Sequence, residues 1–433
     1  MIKVKAGLLA SLVICSIVLS SLIIFGQPVP KTGDKGAGPW FGPKTGLHEI
    51  SLPGRIYICN SDKKVVLIET LSQMYSDLVL TLGQMEYGSE KGGDVWVTGE
   101  YDSDSITPGV LFRYDYQISR GLLATWLTLF YETDFPFAAI DCIFVPLDGG
   151  PVKFINSATG VLWQLQADLP LSVFQQAAAE PRNPAAYPMA VMENGKTYSV
   201  AAGVFDLAEP RQLAVPACQL EEIRTEEIIQ SFFLHPSKIQ EADGTETYTD
   251  GFGALRVFPS GVLEYTAGVQ GQGAVFLDQP QLMQSTVDFL HAHGGWPGNM
   301  LPVYLSNRPA ESVRLEFCSF ALGLPITGEN VGIAVEFQQG QVSGYQRHLA
   351  VPAEETLETY GDIQPLAWHL ASDSQAGQFF AEENKIIADL ALAYYWQQNR
   401  LIPIWRVGTG NQIVYVAASD GRILQIRTQL GGQ

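Results

Sequence analysis

The stretch TEEIIQSFFLHPSKIQEADGTETYTDGFGALRVFPSGVLEYT, residues 225–266, carries one helix and its following strands with their punctuation in place. Thr225 precedes an acidic first turn, Glu226 and Glu227, which places it as an N-cap. Ile228 with Phe232 and Ile229 with Phe233 form the apolar stripe, and Pro236 stops the helix. Strands follow at Thr245 to Thr249 and Ala254 to Phe258 about an Asp250-Gly251 turn. Pro259-Ser260-Gly261 then leads into a third strand ending Leu263-Glu264-Tyr265. A helix feeding an antiparallel meander predicts an α+β fold.

Towards the C-terminus the pattern continues. Asp278 before Pro280 starts a helix that Gly294-Gly295 stops, and Val313 to Leu322, Val331 to Phe337 and Gln341 to Leu349 read as an antiparallel sheet. A helix from about Phe379 to Asn399, with Ile386, Leu390, Ala393 and Tyr394 on one side, precedes strands at Leu401 to Val407 and Gln412 to Ala418 and an Asp420-Gly421 turn. Helix plus meander plus Asp-Gly turn therefore occurs twice, which predicts a duplicated module: a middle domain over 185–352 and a C-terminal one over 353–433.

Towards the N-terminus lies an α/β first domain at 47–174. It has strands at Arg55 to Cys59 and Lys64 to Ile68, and a helix from Thr70 with Leu71, Tyr75, Leu78, Leu82 and Met85 on one stripe. A second helix is expected over Leu122 to Phe130, and a core strand over Ala138 to Val145. The Ala- and Pro-rich stretch Gln175 to Pro188 marks its end. Residues 27–46 are a Gly/Pro/Lys spacer. Before it, Lys3 and Lys5 precede an uncharged apolar run from Gly7 to Phe25, long enough as a helix to cross about 28 Å of hydrocarbon. Residues 1–26 thus read as a cytoplasmic start and an uncleaved transmembrane anchor, since the run ends Phe25-Gly26-Gln27-Pro28 without a small-x-small exit. This predicts a single-pass protein of the cell membrane, N-terminus cytoplasmic and the large domains extracellular. The basic count near the run does not itself decide that orientation. Within the run, Gly7, Ser11 and Cys15 recur every four residues with Ser21 near the same side, a candidate face for a partner helix; Ser16 and Ser20 form the competing face.

With 26 Lys and Arg against 45 Asp and Glu, the net charge of -19 disfavours nucleic acid. Cys59, Cys142, Cys218 and Cys318 are widely spaced among apolar neighbours, which favours buried free thiols over a disulfide or metal site. Catalytic signatures fail on inspection. Gly251-Phe252-Gly253 continues to Arg256 where a dinucleotide loop needs glycine, and Asp102-Ser103-Asp104 has Thr107 and Arg113 where a calcium loop needs Gly and Glu. His291 and His293 are two apart on a helix and so diverge; a frayed helix end explains them. The acid pairs Glu221-Glu222, Glu226-Glu227 and Glu382-Glu383 read as charges at or near helix starts, where acids complement the dipole. No catalytic residue, metal, cofactor or small-molecule substrate is expected.

Three groups of residues carry a family resemblance. The first is Phe232-Phe233-Leu234-His235-Pro236-Ser237 with Asp243-Gly244, Tyr248-Thr249-Asp250-Gly251, Leu255-Arg256-Val257, Gly261 and Leu263-Glu264-Tyr265-Thr266. The second pairs Phe320-Ala321-Leu322-Gly323-Leu324-Pro325 with Gly340-Gln341-Val342-Ser343-Gly344-Tyr345. The third is Leu401-Ile402-Pro403-Ile404-Trp405 with Ala417-Ala418-Ser419-Asp420-Gly421. In this order and spacing they resemble the YycH family, the last group being similar to the closing hairpin of YycH, YycI and PepSY-type modules. The resemblance implies a non-enzymatic accessory protein of Gram-positive bacteria. Its partners would be a YycI-like membrane protein and the essential sensor histidine kinase of cell-wall homeostasis. The alternative is an extracytoplasmic binding or protease-inhibitory module with PepSY-like units.

Overall fold

The computed structural model describes residues 45–60, 65–87, 96–100, 108–127, 135–179, 186–195, 198–201, 203–268, 277–298, 300–307, 312–353, 359–383 and 385–428. Residues 27–44 of the spacer, the apolar N-terminal run with Gly7, Ser11, Cys15 and Ser21, and the Asp102–Asp104 loop lie outside them. Among the described residues no helix is long and apolar enough to cross a membrane.

The strand Arg55–Cys59 is buried along its whole length, which an alternating strand can be only if both faces of its sheet are covered. It sits inside a nine-stranded sheet in the order Phe205–Leu207, Ala186–Val191, Val65–Ile68, Arg55–Cys59, Gly109–Ser119, Ala139–Pro146, Val152–Asn156, Val161–Leu165, Trp96–Glu100. Every pairing in it is antiparallel, so this unit is α+β and not α/β. Ile56 and Ile58 point into a core shared with Tyr75, Leu78 and Leu82 of the helix Gln73–Gly83 and with Phe174 of the helix Leu171–Ala179. Tyr57 and Cys59 point the other way, into a second core completed by Leu392, Tyr394 and Trp405 from the C-terminal unit.

Residues 211–220, with 350–353 and 359–363, link the first unit to the middle one. They run side by side as short antiparallel pairs, Arg211–Val215 with Thr359–Ile363 and Cys218–Leu220 with Ala350–Pro352. The middle and C-terminal units form one thirteen-stranded sheet. Its only parallel step among the described residues joins Leu324–Gly328 to Asp389–Gln397. The helix Gln279–Ala292 covers the middle part through Leu282, Met283, Val287 and Leu290, packed with Phe317, Val335 and Phe337. Asp278 caps it in a capping box with Gln281, and Gly294 and Gly295, both at positive φ, end it as the sequence signals.

Several expectations are corrected. The stretch expected as a helix from Phe379 to Asn399 is a helix at Gln375–Glu383 and a strand at Asp389–Gln397. Leu390, Leu392, Tyr394 and Trp396 enter one core, while Ala393 and Tyr395 enter another. A strand buried on both faces is a continuous apolar run, which periodicity cannot separate from a buried helix. Of the expected Leu122 to Phe130 helix, residues 128–130 lie outside the described residues, and the described part is one turn, Arg120–Leu123; Thr125 and Trp126 bond back to Leu122 and Leu123, three residues earlier, and so tighten its end. Leu71 lies outside its helix at φ 66°, because Ser72 is the cap that accepts the Tyr75 amide. Thr225 is the first helical residue and not the cap, and no side chain caps that end.

The Gln175 to Pro188 break does not end the first sheet: 175–179 are helical, and Ala186–Val191 pairs with Val65–Ile68. The two Asp-Gly turns fall in different hairpins. Asp250-Gly251 joins Glu246–Thr249 to Gly253–Val257, the second and third strands after their helix. Asp420-Gly421 joins Gln412–Ala417 to Ile423–Thr428, the last pair of the sheet.

Candidate functional site

Alternation along the first sheet decides which charges meet the C-terminal unit. Arg55, Arg113 and Asp115 lie on the same face as Tyr57 and Leu111, opposite to Ile56 and Phe112. That face receives Asp389 and Arg406, from the strands Asp389–Gln397 and Arg400–Gly408. Arg55 Nη2 donates to Asp115 Oδ1 at 2.7 Å and to Asp389 Oδ1 at 3.0 Å, while Arg55 Nη1 donates to the Leu390 carbonyl at 2.8 Å. Arg113 lies 3.2 Å from Asp389 Oδ1 and donates to the Gly203 carbonyl. Arg406 pairs with both Asp115 and Asp389. Burial by itself would push the Asp389 carboxyl up, but the guanidiniums of Arg55, Arg113 and Arg406 outweigh it and hold the group well below the usual carboxylate range. The arrangement is a polar clamp between the first and last units.

A second bridge joins the same two units. Asp206, only 4% exposed, accepts the backbone N–H groups of Leu366 at 2.9 Å and Ala367 at 2.8 Å, and so caps the short helix Leu366–Leu370 from 160 residues away. Burial lifts its carboxyl to about 6 despite those amides. A folded-state value above the unfolded one, about 3.9, means that the folded chain holds the extra proton between those values, so stability falls as pH rises through the window. We expect wild type minus Asp206→Asn to lose on the order of 1 kcal/mol between pH 5 and pH 7, read from urea midpoints at each pH. A difference that is flat with pH, or rises, overturns this.

The parallel step in the large sheet leaves a cleft of about 130 Å³ between the middle and C-terminal strands. Arg314, Glu316, Arg406 and Arg427 line it, together with Tyr304 and Tyr415. Arg314 Nε donates to Glu316 Oε1 at 2.6 Å, and Arg427 reaches across the cleft to the same oxygen. Burial would lift the Glu316 carboxyl, but Arg427 and Arg314 hold it below its ordinary value.

Of the residues weighed in the sequence, His291 is buried and its Nε2 accepts the Thr45 amide at 2.9 Å. His293 stacks on Phe232 at 4.0 Å, and burial lowers it to about 4. The helix end is therefore pinned by packing, not frayed. Glu221, a few residues ahead of the helix Thr225–Phe232, forms a two-toothed pair with buried Arg347, while Glu382 and Glu383 fall in the last turn of their helix and so are not at its start. Glu226 and Glu227 do occupy a first turn. The four described cysteines are free, three of them buried, and burial pushes the Cys59 thiol up to about 12. Among the described residues no group of His, Cys, Asp and Glu is placed to hold a metal ion.

Sequence reasoning missed the Arg–Asp clamp. Its signal was charges isolated inside strands of buried type, such as Phe112-Arg113-Tyr114-Asp115-Tyr116 and Trp405-Arg406-Val407, where an unpaired charge would be costly.

This architecture is a strand-rich α+β fold of YycH type. The crystal structure of YycH from Bacillus subtilis superposes with a TM-score of 0.67 over 87% of this chain and 98% of that one, at 14% identity. An uncharacterized protein from Eubacterium rectale gives a TM-score of 0.29 at 8% identity, over 56% of this chain and 94% of that one. No protein-family profile and no curated protein matches the sequence.

Proposed function

We propose that this protein is a membrane-anchored extracytoplasmic regulator of a two-component sensor histidine kinase, acting by protein contact together with a YycI-like partner and not by catalysis. The observation that carries the reading is the YycH-like fold, shared over nearly the full length of YycH. The ordered motifs from Phe232 to Tyr345 support it independently of the superposition. In this reading the Gly7 to Phe25 run holds the chain in the membrane, and the described units lie on the outer side, where they tune a kinase of cell-wall homeostasis.

The test is co-purification of the full chain from membranes of its own cells, which should bring down a sensor kinase. A preparation that retains no kinase under mild detergent, while a known kinase-bound control does, counts against the proposal. The docking face proposed on Gly7, Ser11, Cys15 and Ser21 has its own test. Gly7→Leu with Ser11→Leu should lower kinase recovery several-fold at unchanged expression, because close approach of spanning helices depends on small residues. Unchanged recovery rejects that face, and loss only with Ser16→Leu and Ser20→Leu moves it to the opposite side.

A further inference from the structure

We propose that the cleft at the parallel step of the large sheet binds a small carboxylate-bearing molecule, with Arg427 as its anchor. The lining is basic although the chain is acidic: three guanidiniums, Arg314, Arg406 and Arg427, against one carboxylate, Glu316. Two of the three are well supplied. Arg406 has Asp115 and Asp389, and Arg314 has Glu316 together with Glu336 at 2.7 Å. Arg427 instead shares one oxygen of Glu316 with Arg314 and has the Tyr415 hydroxyl beside it. Its side chain is 39% exposed, so a solute can reach it, and its fork of N–H donors suits a carboxylate.

The C-terminal wall of the cleft also carries apolar side chains, Ala393 and Ile413, packed with Tyr415. A cleft of about 130 Å³ is close to the roughly 150 Å³ cavity that admits benzene, so the ligand has about six non-hydrogen atoms. An anionic head against Arg427 and a short branched apolar tail against Ala393 and Ile413 fit this lining. Glu316 favours a monoanion over a phosphate dianion, because the ligand's charge must sit beside a carboxylate already in place.

The probe is isobutyrate, a six-atom carboxylate, with isobutyramide as its uncharged isostere. For the full chain in mild detergent, isobutyrate should raise the melting temperature saturably at millimolar concentration, above sodium chloride at equal ionic strength. Isobutyramide should not. Arg427→Gln should weaken the half-saturating concentration at least tenfold, and Arg427→Lys, which keeps the charge but not the fork, should fall between. Arg256→Gln, a partly exposed guanidinium paired with Glu241 in another strand pair, should leave the response intact. Equal responses to isobutyrate and isobutyramide, a saturable response that survives in both Arg427 variants, or tighter binding of inorganic phosphate would each overturn the proposal. If Arg427→Gln fails to fold, the Lys variant and the amide control still decide it.

Discussion

Replacing Asp389 by Ala should cost about 3–5 kcal/mol of stability, because it leaves Arg55, Arg113 and Arg406 clustered in the interface with Asp115 as the one carboxylate of the clamp. Only 7% of the Arg55 and Arg113 side chains is accessible, so water does little to replace the lost partner. The penalty is that of stranding charges, and removing a stranded charge should recover part of it. Asp389→Ala with Arg113→Met is therefore expected to be more stable than Asp389→Ala alone. The pH dependence has a definite sign. Because the folded Asp389 carboxyl is held below its unfolded value of about 3.9, its contribution is present above that value and is lost as pH falls below it. Wild type should thus lose its advantage over the Ala variant in acid. Urea midpoints for the three proteins check this. A single variant within about 1 kcal/mol of wild type would mean that the clamp is held by other contacts.

Trp405→Ala should also cost about 3–5 kcal/mol, for a different reason. Trp405 is fully buried, and its strand neighbours Leu392 and Val416 enter the same core from either side. Its indole Nε1 donates to the Gln364 carbonyl at 2.8 Å, tying the returning connector to the sheet. Truncation leaves a cavity and removes that donor. Trp405→Phe keeps most of the apolar bulk and loses the hydrogen bond, so it should cost about 1–3 kcal/mol. Equal losses for Ala and Phe would show that the bond and not the packing dominates, and a loss under about 1 kcal/mol for Ala would show that the core relaxes around the gap.

The sequence by itself determined the features written in local chemistry. Asp278 with Gln281 and Gly294-Gly295 bracket a helix because a capping carboxylate and φ-permissive glycines act within one turn. The Asp250-Gly251 turn and its flanking strands are legible because alternation and turn residues act over a few residues. The ordered motifs pointed to the YycH-like fold that the superposition finds. Tertiary structure alone decided the rest. Whether Asp389–Gln397 is helix or strand depends on its being covered on both faces, by elements far away in the chain. The short helix Leu366–Leu370 takes its capping carboxylate from Asp206, and the clamp joins residues as much as 335 apart in sequence. Pairing of that kind leaves no local pattern, because the cost of burying a charge is set by whatever strand the fold brings opposite it, and a side chain's own neighbours do not specify that strand.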